Sequence, residues 1–174
     1  MRKTAFLLLT AFMLVPAAMF GDSYSKLWKQ VDEAANKDLP KTQIQLLQTI
    51  ADKAEAGGEY GHLLKAETCM ASVWYSISPD SLPSRLARLE DKAEACSKSD
   101  GALSAVYYAA LGKIYSSYRN FSPYAAVGID NSAKAAEFFR KSLADPALLA
   151  SKKALCYEPF VVRDATANTS TTTF

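Results

Sequence analysis

From Tyr24 onward, apolar residues recur every three or four positions, the spacing that lines them along one side of an α-helix. Tyr24, Leu27, Val31 and Ala35 make one stripe, with Trp28 beside it. Ile44, Leu47, Ala51 and Ala54 make a second, and Leu63, Ala66, Met70, Val73, Trp74 and Ile77 a third. Leu82, Leu86, Leu89 and Ala93 form a fourth. Leu103, Val106, Ala110, Leu111, Ile114 and Tyr118 form the fifth and longest, and Ala136, Phe139 and Leu143 a sixth. No stretch sustains an alternation of period two and β-branched residues are scarce, so strands are not expected. The pattern predicts an all-α chain of about six to seven helices.

Helix breakers fall between the stripes. Leu39-Pro40 closes the first helix and opens the second, because proline fits a first helical turn but not an interior. Gly57-Gly58 supplies the positive φ that ends a helix. Ser78-Pro79-Asp80-Ser81 parts the third helix from the fourth, with Ser81 placed to cap it, and Ser99-Asp100-Gly101 parts the fourth from the fifth. The one longer loop is predicted from Asn120 to Asp130, around Pro123 and Gly128. Asp145-Pro146 then opens a short helix expected to run through Leu155. Such short breaks force neighbouring helices antiparallel, so the chain should stack as hairpins.

Ahead of the stripes lies a different segment. Met1-Arg2-Lys3 is basic, Thr4 to Val15 is almost wholly apolar, and Pro16, Ala17, Ala18 and Gly21 follow. This is the layout of a secretory signal peptide, its apolar run of about 12 residues falling short of the roughly 20 that span a bilayer. Residues 1–21 are therefore assigned to a leader, cleaved after Ala17 or after Gly21, and the product is expected in the periplasm or outside the cell. Residues 22–162 form the helical domain, and 163–174, rich in threonine and without helical period, an irregular tail.

Export changes two other readings. Losing Arg2 and Lys3 takes the net charge from +2 to zero, since no acid precedes Asp22. A neutral chain with scattered charges is a poor match for nucleic acid or an anionic membrane, both of which need concentrated basic charge. The cysteines Cys69, Cys96 and Cys156 are an odd set: inert buried thiols, a Cys69–Cys96 bridge and a reactive or metal-binding thiol all stay open. No Cys-x-x-Cys or Cys/His spacing marks a zinc site, and no glycine-rich phosphate loop is present.

Asp52-Lys53-Ala54-Glu55-Ala56 recurs 39 residues later as Asp91-Lys92-Ala93-Glu94-Ala95, and the same shift sets Leu64 on Leu103 and Ala66 on Ala105. A helix-pair period near 40 suits a stacked array. Tyr108-x-x-Leu111-Gly112-x-x-Tyr115, then Ala135-x-x-x-Phe139 and Pro146, resembles the two helices of a tetratricopeptide repeat, about 11 residues further apart than the pattern allows because of the Asn120–Asp130 loop. In such a hairpin the glycine admits the partner helix, while Tyr108, Leu111, Tyr115, Ala135 and Phe139 pack around it. The fold expected is a TPR-like array.

Chemistry is thin. A nucleophilic triad would have to use His62, which reads as a surface or helix-start residue. The pairs Glu55/Glu59 and Glu90/Glu94 sit a turn apart among lysines, as on a solvated helix face. No catalytic, cofactor or metal residue is assigned. The dense aromatics are the remaining candidates: Tyr107, Tyr108, Tyr118 and Tyr124 are proposed to line a groove for a protein partner, because tyrosine gives large contact area at low entropic cost.

Tyr24-Ser25-Lys26-Leu27-Trp28-Lys29-Gln30-Val31 followed by Asp38-Leu39-Pro40-Lys41-Thr42 resembles the opening of large secreted bacterial alpha-2-macroglobulin-family proteins. Gly112 to Tyr118, Phe139 to Asp145 and Tyr157 to Val162 resemble later segments of their helical N-terminal region, so that residues 22–162 are covered. The resemblance implies a helical head that packs on macroglobulin domains of a protease inhibitor. The family's Cys-x-Glu-Gln thioester is not matched, as Cys69, Cys96 and Cys156 precede Met-Ala, Ser-Lys and Tyr-Glu, and no bait region is present. The tail after Val162 reads either as the end of a truncated or frame-shifted longer frame or as a plain disordered end. The function expected is a non-catalytic exported interaction or scaffold module; the alternative is an autonomous peptide- or protein-binding module unrelated to protease inhibition.

Overall fold

The computed structural model describes residues 18–117 and 131–160. Within them the chain is all-α, with no strand among the described residues. The helices are α1 (Ala18–Asn36), α2 (Pro40–Gly57), α3 (Tyr60–Ile77), α4 (Leu82–Ser97), α5 (Gly101–Ser117), α6 (Asn131–Ser142) and α7 (Pro146–Ala150). Short 3₁₀ turns occupy Pro79–Ser81 and Ala154–Tyr157. The leader up to Ala17, the predicted Asn120–Asp130 loop, Tyr118, Tyr124 and the tail lie outside the described residues. Helix α1 begins at Ala18, within the segment assigned to the leader.

The predicted punctuation carries the turns. Pro40 stands in the first turn of α2, and Gly58 ends that helix at φ 69°, where its N–H reaches back to Glu55. Asp145 caps α7 by accepting the Leu148 N–H at 2.9 Å. Two details differ from expectation. Ser81 does not cap α4; its hydroxyl donates to the Ser78 carbonyl instead, because the 3₁₀ turn already holds it in helical backbone. Helix α7 ends at Ala150 rather than Leu155, because Lys153 turns to extended backbone ahead of the last 3₁₀ turn.

Helices α2 and α3 pack as one hairpin and α4 and α5 as the next, with α1 against α2 and α6 against α5. The 39-residue repeat is thus two successive hairpins: α4 repeats α2 and α5 repeats α3. Matched positions do the same work, since Ala54 and Ala93 are both fully buried. Two cores result. Tyr24, Val31, Leu47, Ile50 and Leu63 fill the one among α1, α2 and α3. Leu64, Leu86, Leu111, Tyr115 and Phe138 belong to the one among α3, α4, α5 and α6. Helix α3 serves both, presenting Leu63 to the first and Leu64 to the second.

In α6 the buried stripe is Ala135, Phe138 and Ser142, not Ala136, Phe139 and Leu143, which are exposed. The helix is turned by one residue because the Phe138 ring fits between Tyr108 and Tyr115, with centroids 5.9 and 5.5 Å away. In α1 the buried alanine is Ala34 rather than Ala35, by the same one-residue rotation.

Gly112 admits its partner helix as the repeat pattern predicts. A Cβ there would lie 2.8 Å from Cδ1 and Cε1 of Phe139, which rests its ring on the bare backbone although 39% exposed. Leu111, Tyr115 and Ala135 are buried around this contact. Gly112→Leu is expected to lower the melting temperature by about 3–9 °C, the equivalent of about 1–3 kcal/mol of overpacking. An unchanged thermal unfolding curve would contradict the close approach of α5 and α6.

Candidate functional site

Of the tyrosines proposed for a partner surface, Tyr107 and Tyr108 are spent on packing, while Tyr118 and Tyr124 lie outside the described residues. Tyr107 and Tyr108 are 3% and 8% exposed, because α5 lies in the middle of its core and buries residues all round. The Tyr108 hydroxyl donates to Glu94 at 2.8 Å and the Tyr115 hydroxyl to Glu90 at 2.7 Å. Burial first, and then these carboxylates, push both phenols up to about 12. Lys134 of α6 donates to Glu90 at 2.6 Å and to the Tyr115 oxygen at 3.0 Å, tying three helices together. Glu90 and Glu94 are therefore cross-helix anchors, not a free acidic face.

His62 stands in the first turn of α3, at the helix start as expected, and is half-buried rather than on the surface. Its ring stacks on Tyr24 at 3.9 Å, and its Nδ1 accepts the Trp28 indole N–H at 2.9 Å. Burial, then Lys65 and Lys53, hold the imidazole below its usual value. The three cysteines are free thiols: Cys69 and Cys96 are half-buried against different cores, and Cys156 is exposed. The Cys69–Cys96 bridge left open by the sequence is not formed. Burial pushes the Cys69 and Cys96 thiols up, away from the thiolate a nucleophile needs. Among the described residues no cluster of three His, Cys, Asp or Glu side chains could hold a metal ion, and no helix is long and apolar enough to cross a membrane.

One place keeps unspent chemistry. Helices α2 and α4 make no backbone contact with each other among the described residues, and the gap between them is a groove floored by α3. Its volume is about 120 Å³. Gln48, Ala51, Asp52 and Glu55 form the α2 wall, and Glu67, Met70, Ala71 and Trp74 the floor. Arg85, Leu86, Arg88, Leu89 and Lys92 form the α4 wall. A single cation crosses the gap: Lys92 lies 2.6 Å from Glu67 Oε1 and 3.3 Å from Glu55 Oε1, joining all three helices.

Glu67 is the unusual member, an acid only 8% exposed on the apolar side of α3. Burial raises its pKa, a rise that Lys92 and the Tyr107 hydroxyl offset only in part. Burial alone would lower Lys92, but Glu67 and Glu55 outweigh it and leave the amine above its usual value. The Arg85 guanidinium lies over the Trp74 ring, 3.6 Å from its centroid. Three buried polar atoms here have no hydrogen-bond partner: Glu67 Oε2, Trp74 Nε1 and Arg85 Nε. Unmet buried groups are rare in folded proteins, and these three line one groove.

A second, wider hollow of about 320 Å³ opens between α5 and α7, but its polar groups are committed. Ser104 donates to the Ala93 carbonyl, Tyr108 to Glu94, Lys141 pairs with Glu137, and Asp145 caps α7. Volume alone would favour this hollow; available donors and acceptors favour the groove.

Sequence reading missed Glu67, Trp74, Arg85 and Lys92 as a group. One signal was present: Glu67 is the lone acid between Leu63 and Val73, four positions after Leu63 and four before Ala71. Fold and site together define an all-α hairpin array with a charge-balanced groove. Comparison with protein-family models, with curated proteins and with solved structures returns no match for this chain.

Proposed function

We propose that this chain is a non-catalytic, exported helical module that holds a segment of a partner protein in the groove between α2 and α4. The observation that carries the reading is the set of three unpartnered buried polar atoms in that groove. Such groups cost about 1–3 kcal/mol each while unmet, so a ligand that meets them gains what the folded chain forgoes. The groove's size supports the same view. About 120 Å³ is well under the roughly 300–1,000 Å³ of small-molecule and cofactor sites, and suits a single side chain of a larger partner.

The resemblance to secreted macroglobulin-family heads would make that partner the macroglobulin body of a longer homologous chain. The groove favours the autonomous alternative, because α2, α3 and α4 supply every residue that lines it. A periplasmic extract passed over the immobilised domain is expected to leave a defined protein bound. Met70→Glu in the floor should release it, and Glu33→Lys on the exposed side of α1 should not. Retention by the Met70 variant, or turnover of a substrate by the purified chain, would overturn the reading.

A further inference from the structure

We infer that the group this groove receives is a neutral carboxamide, the side chain of a glutamine or asparagine on the partner segment. The inference rests on the groove being the binding surface and adds the chemistry of its guest. Two of the unmet atoms are donors, the Trp74 indole N–H and the Arg85 Nε–H, and one, Glu67 Oε2, is an acceptor. An amide carbonyl has two lone pairs for the donors, and its NH₂ donates to the carboxylate. A serine or threonine hydroxyl carries the same donor and acceptors, but on a stem too short to fill the groove beside Met70, Leu86 and Leu89. A carboxylate would meet the donors but set a second negative charge beside Glu67. An ammonium would meet Glu67, leave both donors empty and add a cation next to Arg85 and Arg88. An apolar side chain would leave every one of them unmet.

Charge balance points the same way. Arg85, Arg88 and Lys92 face Asp52, Glu55 and Glu67, three cations against three anions, so the groove as a whole favours a dipolar guest without net charge. Neither Arg85 nor Arg88 forms an ion pair among the described residues, and Arg85 is only half-buried. The Met70, Leu86 and Leu89 side chains pack the methylene stem that carries the amide.

The chain has two tryptophans, so its indole N–H groups give two NMR signals, which Trp28→Phe assigns. The probes are capped alanine pentapeptides with Gln, Glu, Lys or Leu at the centre, which share every backbone amide and differ in one side chain. The Gln peptide is expected to move the Trp74 signal saturably and leave Trp28 still. The other three should bind roughly tenfold more weakly, as befits one or more lost hydrogen bonds. Glu67→Leu should erase the preference for Gln. Arg85→Met, at a half-buried position where folding is not at risk, should weaken Gln binding roughly tenfold. If the Glu or Lys peptide binds as tightly as the Gln peptide, the amide chemistry is wrong while the groove stands. If no peptide moves Trp74, the inference fails, and partner retention by the Met70 variant decides separately on the groove.

Discussion

Gly61→Ala is expected to destabilise the protein by about 2–3 kcal/mol, and to lower its melting temperature by about 4–12 °C. Gly61 sits in the first turn of α3, where the backbone of the last 3₁₀ turn passes directly over it. A Cβ at this position would collide with the carbonyl group of Glu158 and come within 2.5 Å of the Tyr157 carbonyl carbon. A rotamer change, which can relieve a clash with Phe139 at Gly112, cannot move a peptide group. The chain must lift residues 154–160 away from α3, which unseats the buried Tyr157 ring and the half-buried Phe160 beside it. Amide exchange should localise the damage: the Phe160 N–H, bonded to the Tyr157 carbonyl at 2.9 Å, should lose protection before the α2–α3 hairpin does. Unaltered melting and exchange would mean that this turn does not rest on α3.

Lys92→Met is expected to cost about 2 kcal/mol at neutral pH, below the 3–5 kcal/mol of a fully buried broken pair because the amine is partly in water. The loss comes from Glu67. Without Lys92 the buried carboxylate keeps its desolvation penalty and forfeits its 2.6 Å partner. Glu67 already titrates above the ordinary carboxylate range through burial, and removing Lys92 raises it further. Its folded form then holds a proton more tightly than the unfolded chain does. Stability therefore falls as pH rises from the ordinary glutamate value, about 4.3, through the raised one. The deficit of the variant should be large at pH 7.5 and smaller at pH 5 in chemical denaturation. Adding Glu67→Gln should restore most of the loss and flatten its pH dependence. A deficit equal at both pH values would place its source elsewhere.

Much of the architecture is written locally. Helix positions follow from apolar spacing, and helix ends from Pro40, Gly58 and Asp145, each of which acts through its own backbone within a turn of itself. The pairing of α2 with α3 and α4 with α5 follows from short connections, and the 39-residue repeat shows which helices are equivalent. Gly112 was legible for the same reason: a glycine flanked by large residues a turn away signals a close helix approach.

Rotation of a helix about its axis was less legible. Adjacent phenylalanines at 138 and 139 satisfy the same stripe, and only the gap between Tyr108 and Tyr115 selects Phe138 for burial. Tyrosine content likewise suggested a surface, whereas burial of α5 on all sides packs Tyr107 away and turns the Tyr108 and Tyr115 phenols into ties to Glu94 and Glu90.

The amino-acid order by itself determined the all-α class, most helix boundaries and the hairpin order, because each depends on contacts within a few residues. Tertiary structure alone decided the groove. Gln48, Glu67, Trp74, Arg85 and Lys92 come from three helices and meet only because α3 holds α2 and α4 apart. It also decided the role of Gly61, whose partner lies almost a hundred residues further along the chain. Hydrogen bonds left unmet in a folded interior arise from that packing, and residue spacing along one helix shows no more of them than the lone acid Glu67.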